Sequence, residues 1–382
     1  MNSRERVVKA LNHEEPDRIP IDLGGVSVSL IHQNAHRNLA DYLKIKKPSG
    51  KIQNLMTMCV YTDERIKERL RSDIELIQPH KPDNWELYID EETGKWEDEW
   101  GCIYKKPKGV MYYEWDYQPL EKANGISDIK NYKWPDPRDP GRYKGIKEKA
   151  LNIYNNTDKA MLVNSAYGLW EQFFTLRGME NALMDLAANQ KFLVYLVDKL
   201  LDWLLEYYDI MLSLIGGYVQ IVKMDDDLGF KNGPLMSLDI YRKIFKPRHK
   251  KIVDFIKSKT SAKVFIHSDG SICDFLPDFI EIGIDIINPV EVTAKDMDSD
   301  KLKKEFGKDL TFWGGGCDNR ILEKGTPREI ENEVKKRISD FGPGGGYIFG
   351  SIHCIQPFVP PENIVALYDT AYKFGKYPLD IK

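Results

Sequence analysis

The chain has 382 residues, 42% of them hydrophobic, with 55 basic against 59 acidic side chains and a formal net charge of -4. That length holds one large barrel with insertions or two ordinary domains, and the charge balance argues against a polyanion-binding surface, so no nucleic-acid partner is expected. Five cysteines, odd in number and without regular close spacing, fit a reducing compartment rather than a disulfide framework. The start MNSRERVVKALNHEEPDRIP has no signal-type apolar core, and no uncharged run reaches membrane-spanning length; a soluble cytoplasmic protein with no membrane partner is expected.

Asn2 and Glu5 stand at capping-box spacing before a short helix over 3–11, ending near the Pro16 turn. IPIDLGG (19–25) reads as a first strand and IELIQP (74–79) as a second. Over 80–135 the character changes, with Trp85, Trp96, Trp100, Trp115 and Trp134 set among acids, lysines and turns. This alternation predicts β-hairpins inserted after the second strand, their aromatics used for packing. MLVNSAYG (161–168) makes a third strand and YVQIVKMDDDLG (218–229) a fourth, separated by an amphipathic stretch of about 191–215. Four more apolar runs follow, AKVFIHSDG, IGIDIINPVEV, LTFWGGGCD and GYIFGSIHC, each stopping at residues able to do chemistry.

Eight strands alternating with helices predict a (β/α)8 TIM barrel, α/β in class, as a single domain over 1–382 carrying the insertion. Its active face is then the rim of strand carboxyl ends. No G-x-G-x-x-G follows the first strand, and neither GGG run precedes a P-loop lysine and serine, so the nucleotide-binding fingerprints are missing.

His267 and Asp269 lie two apart at a strand end, where both side chains can face one point and offer nitrogen and oxygen to a divalent metal. The plainer role for Asp269 is to cap the next helix. Neighbours His353 and Cys354 must face opposite ways; the histidine, followed by polar Gln356, is the site candidate and the cysteine the core residue. Cys317, after three glycines that permit close backbone approach, and Glu291 are further candidate ligands. Of the run Asp225, Asp226 and Asp227, Asp226 is taken to point inward as an acid or cation ligand, and Tyr167 to bind or protonate a substrate.

The segments RERVVKALNHEEPDRIP, LRGMENALMDLAANQ, DDLGFKNGPLMSLDIYRKIFKP, IHSDGS, IGIDIINPVE, LKKEFGKDLTFWGG and HCIQPFVPPENI together resemble the uroporphyrinogen decarboxylase superfamily, in particular its branch allied to corrinoid-dependent methyltransferases. The resemblance implies a (β/α)8 barrel with the site at the carboxyl rim. The superfamily's decarboxylases carry an arginine-rich motif after the first strand, whereas IDLGGVSVSLIHQNAHRNLADYL holds Arg37 alone; a polycarboxylate needs several guanidinium forks. The methyltransferase branch binds zinc through an H-x-C pair and a later cysteine before a P-x-E-N turn. Here His267 and Asp269 occupy the pair, and His353, by its offset from Pro360, Pro361, Glu362 and Asn363, the later position.

With both thiolates replaced, a nitrogen and oxygen site suits oxygen leaving groups better than thiols. The expected function is therefore methyl transfer from a small, O-methyl donor to a corrinoid protein, with zinc in the barrel and the corrinoid on the partner; self-association as a homodimer is left open. Two alternatives remain: a metal-free decarboxylase using Asp226, Tyr167 and His353, and a barrel that binds a corrinoid or tetrapyrrole without turnover.

Overall fold

Strands that alternate β-branched and aliphatic residues bury both faces, and in a closed parallel sheet one face must fill the barrel while the other meets the helices. The computed structural model describes residues 1–381 and follows that rule. Seven parallel strands form one sheet in sequence order: β1 (Ile74–Ile77), β2 (Ala160–Val163), β3 (Ile221–Asp225), β4 (Lys263–His267), β5 (Ile286–Asn288), β6 (Thr311–Trp313) and β7 (Tyr347–Ile348). Helices fill the connections, among them Gln190–Ile215, Lys246–Lys259 and Pro327–Phe341, and Pro361–Phe374 follows β7. Among the described residues no helix is long and apolar enough to cross a membrane.

Residues 19–25 depart from the regular strand expected of them. Pro20 has no N–H to give a ladder, and Asp22 turns back to accept from the Gly25 N–H at 2.8 Å. The segment still occupies the eighth position. On one side Asp22 N donates to Phe349 O and Phe349 N to Pro20 O; on the other Asp73 N donates to Ile21 O. The Asp73 carboxylate completes this seam, accepting from Ile21 N at 2.8 Å and from Arg18 and Arg6 at 2.7 and 2.8 Å.

Inward residues Ile74, Leu76, Ala160, Leu162, Ile221, Phe265, Ile286, Trp313 and Ile348 make one apolar cluster with Val7 and Leu11. The last two come from helix Ser3–Leu11, whose Asn2 and Glu5 form the expected capping box. This helix plugs the amino end of the barrel, so the interior is packed from below and open to chemistry only above. Outward residues such as Val222, Met224, Ile266 and Phe312 join the larger core beneath the helices.

Within the insertion, Trp96–Glu97, Ile103–Lys105 and Glu114–Tyr117 pair as an antiparallel sheet. Trp100 packs edge-on against Tyr167 at 5.1 Å and against Trp134 at 6.2 Å, tying the insertion to the barrel.

Asp73→Asn would leave the half-buried Arg18 guanidinium without its carboxylate and remove one of the two that hold buried Arg6, and should destabilise the fold by about 3–5 kcal/mol. Equilibrium urea unfolding measures this. A loss below about 1 kcal/mol would show that closure does not depend on Asp73.

Candidate metal centre

β4 presents Phe265 and then His267 inward by its two-residue period, and its register sets His267 beside Asp225 of β3 and Asn288 of β5. Asn288 Nδ2 donates to Trp313 O at 3.1 Å, so its Oδ1 is the acceptor for His267 Nδ1–H at 2.7 Å. The proton is thereby assigned to Nδ1, and the Nε2 lone pair faces the barrel mouth.

Asp269 Oδ1 lies 3.9 Å from His267 Nε2, and Asp269 Oδ2 lies 4.0 Å from His353 Nε2. The three ligand atoms fall within 4.8 Å of one another, the one such cluster among the described residues. Bonds of about 2.0–2.2 Å around a tetrahedral ion put ligand atoms about 3.3–3.6 Å apart. Small side-chain rotations close that gap, so the residues fit a zinc ion with three protein ligands and an open position.

The turn carrying Asp269 is fixed by its surroundings. Asp269 N donates to Asp227 Oδ1 at 2.8 Å and Gly270 N to Glu291 Oε2 at 3.1 Å. Gly229 and Gly270 touch through their backbones; a Cβ on Gly270 would come within 2.7 Å of the Gly229 carbonyl. Burial lowers the pKa of His267, and burial with the Lys223 charge brings His353 down to about 4. Both imidazoles are then neutral at pH 7, as metal ligation requires. Burial pushes Asp269 up to about 6, opposed by His267 and reinforced by Asp227.

The other sequence candidates lie elsewhere. Asp226 shares the outward parity of Val222 and Met224; its carboxylate accepts from Trp170 N and Glu171 N at 2.7 and 3.1 Å and pairs with His249 at 2.8 Å, clamping a helix start rather than facing the mouth. Tyr167 is buried and donates to Leu200 O at 3.1 Å. Cys317 belongs to the core, its thiol raised to about 12 by burial. Its preceding glycines serve strand crossing, not a ligand: a Cβ on Gly314 would stand 2.8 Å from Ser351 O. Gln356 accepts from Tyr112 OH and donates to Cys354 O at 2.9 Å, linking the insertion to the loop after β7. Glu291 supports the Asp269 turn from outside the ligand cluster.

The sequence reading leaves Lys223 out and prefers Asp226 to Asp225 within the acidic run. Lys223 and Asp225 share the inward face of β3 by the same two-residue spacing that excludes Asp226. Lys223 Nζ pairs with Asp225, whose other oxygen accepts from Ser165, and Lys223 reaches Ser27 Oγ at 3.3 Å.

The chain should bind about one zinc per molecule, and His267→Ala should abolish binding without unfolding the barrel. Below about pH 6 the Asp269 carboxyl competes as an acid, so affinity should fall as pH drops, roughly tenfold per unit for one competing proton. Metal analysis after dialysis at graded pH tests both; full zinc content in the alanine variant would remove the assignment.

Comparison with known proteins places this geometry in a family. The uroporphyrinogen decarboxylase family model matches residues 119–374. The uroporphyrinogen decarboxylase of Vesicomyosocius okutanii is 33% identical over 131 residues, 34% of this chain and 33% of that protein. That of Ruthia magnifica is 27% identical over 192 residues, 49% of this chain and 51% of that protein. The chain thus spans a third to a half of the length of these relatives. A solved methyltransferase from Methanosarcina mazei superposes with a TM-score of 0.66 at 17% identity, covering 98% of this chain and 99% of that one, which bears on the fold. The family match takes in β2 to β7 with His267, Asp269 and His353, and the chain belongs to the uroporphyrinogen decarboxylase family.

Proposed function

We propose that the protein is a metal-dependent methyltransferase that moves a methyl group from a small O-methyl donor to a corrinoid carried on a partner protein. The observation that carries this reading is the His267, Asp269 and His353 cluster at the carboxyl rim, the face where this fold does chemistry. A zinc ion there supplies Lewis-acid polarisation of a leaving oxygen. Two nitrogens and an oxygen suit that task better than thiolates, which favour thiol substrates.

The chain's own residues do the positioning. Asn288 orients His267, while Asp227 and Glu291 hold the Asp269 turn. His353 keeps 31% of its side chain exposed, so the centre opens toward the mouth. Phe230 and Phe358, exposed on the loops after β3 and β7, offer an apolar landing for a corrinoid protein.

The same mouth speaks against a porphyrinogen. Asp225, Asp227, Asp269, Glu171 and Glu291 crowd it; burial and mutual repulsion raise Asp227 to about 6 and push Glu171 well above its ordinary value. A polycarboxylate would add charge of the same sign, and Arg37 stands exposed on helix Gln33–Tyr42.

Incubation with uroporphyrinogen should give no coproporphyrinogen; stepwise decarboxylation would overturn the methyltransferase reading. Given reduced corrinoid on a carrier protein and a panel of donors, the zinc-loaded chain should methylate the corrinoid, with O-methyl donors ahead of S-methyl donors. Corrinoid absorbance reports the transfer. Activity with thioethers alone would reverse the role given to Asp269.

A further inference from the structure

Cys59 and Cys354 are 2% and 6% exposed and, with Leu30, form a small cluster of their own, apart from the two large apolar ones. Both thiols are free, and their sulfurs lie in hydrogen-bonding contact. Each also faces a carbonyl, Cys59 donating to Thr57 O at 3.8 Å and Cys354 to Ser27 O at 3.5 Å. Once Cys59 gives up its proton, the Cys354 S–H can turn to the Cys59 sulfur, which holds the Cys59 thiol below its ordinary value. Cys59 is thus the better nucleophile of the two, with a second sulfur beside it.

The backbone around the pair suits contact but not a bond. Strand Ile31–His32 runs between the two cysteines. On one side Cys59 is the register partner of His32; on the other Ile355 bridges Ile31, with His32 N donating to Ile355 O and Ile355 N to Leu30 O, both at 2.9 Å. Adjacent strands stand about 4.8 Å apart, so chains flanking a common strand lie about 9–10 Å apart. A disulfide needs its Cα atoms within about 7 Å, so closing the gap takes about 3 Å of backbone movement. Strand Cys59–Val60 pairs on both sides and resists. The loop after β7 meets strand Ile31–His32 through the Ile355 bonds, and it yields. His353 is the next residue along that loop, about 3.8 Å away, and its Nε2 faces Asp269. A metal ligand tolerates displacement of about 0.2 Å, so the movement takes His353 out of reach.

We infer that Cys59 and Cys354 form an oxidation site: a peroxide joins them as a disulfide, and the bond withdraws His353 from the metal position. The second half of this rests on the metal centre described above. The Cys59 sulfur attacks one peroxide oxygen, the O–O bond breaks, water leaves with the thiol proton, and Cys59 becomes a sulfenic acid. The Cys354 sulfur then attacks the Cys59 sulfur, the S–O bond breaks, and a second water leaves with the Cys354 proton. Two thiols are oxidised to one disulfide, and one peroxide is reduced to two waters. The metal cluster itself offers two imidazoles and a carboxylate, so metal lost on oxidation is not lost by oxidation of a thiolate ligand. The coupling is reciprocal: a metal that holds His353 opposes the bond as strongly as the bond opposes the metal.

The test treats the reduced, full-length chain with hydrogen peroxide, with and without bound zinc. Peptide mapping should show Cys59 joined to Cys354, two of the five thiols lost, and both recovered with dithiothreitol. The oxidised chain should bind zinc about a hundredfold more weakly, the upper end of what losing a ligand's outer support costs, as read by competition with a chromogenic chelator. Zinc-loaded protein should form the bond more slowly than zinc-free protein. Cys59→Ala and Cys354→Ser, each made alone, should bind zinc like the reduced wild type and keep that affinity after peroxide; either one suffices if the other does not fold. Peroxide treatment that yields no Cys59–Cys354 peptide, a bond that leaves zinc affinity unchanged, or an equal loss of affinity in the treated variants overturns the inference. A Cys59–Cys354 bond in a chain that binds no zinc even when reduced removes the metal centre, and the coupling with it, while the oxidation site stands.

Discussion

The barrel depends on one buried carboxylate. The first segment carries Pro20 and cannot pair along its length, so the seam between β7 and β1 rests on few backbone bonds. Asp73 compensates by serving Ile21 twice, accepting from its N–H through the side chain and donating its own N–H to the carbonyl. Arg6 and Arg18 neutralise it, joining the amino-terminal helix and the first segment to β1. A buried charge with two guanidinium partners and a backbone donor is satisfied; the same charge with any partner removed is not. The site inherits this closure, because Ser27 and His353 follow the two segments that meet at the seam, and Lys223 spans toward one while Asp269 spans toward the other.

Above the seam the interior changes from apolar to polar within one layer. Ile221 gives way to Lys223 and Asp225 on β3, Phe265 to His267 on β4, and Ile286 to Asn288 on β5. The floor excludes water, so each charge placed on it is costly unless paired. Lys223 and Asp225 are paired; Asp227 and Asp269 stand among other carboxylates, and burial first, with repulsion from those acids, raises both carboxyls. A divalent ion held by His267, Asp269 and His353 would supply positive charge there, which connects the electrostatics of the mouth to the ligand geometry without appeal to either histidine's reactivity.

Much of the architecture was legible because it rests on period. The capping box at Asn2 and Glu5, the long helix Gln190–Ile215 and seven of the strands follow from spacing that local physics enforces. The convergence of His267 and Asp269 follows from the same parity. Misreadings arose where partners distant in sequence decide orientation. Asp226 reads as inward from the acidic run alone, but Val222 and Met224 mark its face as outward, and its clamp on Trp170 and His249 belongs to tertiary packing. Tyr167 finds its acceptor 33 residues away on Leu200, and the glycines before Cys317 answer to the backbone of the next strand. Lys223 was missed despite an available signal, since a lysine two positions before an aspartate on an apolar strand places both in the barrel.

Family membership and chemistry part company at the ligand positions. The fold fixes where a metal cluster can stand, at the ends of β4 and β7, and that placement is indifferent to which donor atoms arrive there. The donor atoms then set the hardness of the site, and hardness sets the leaving atom it can assist.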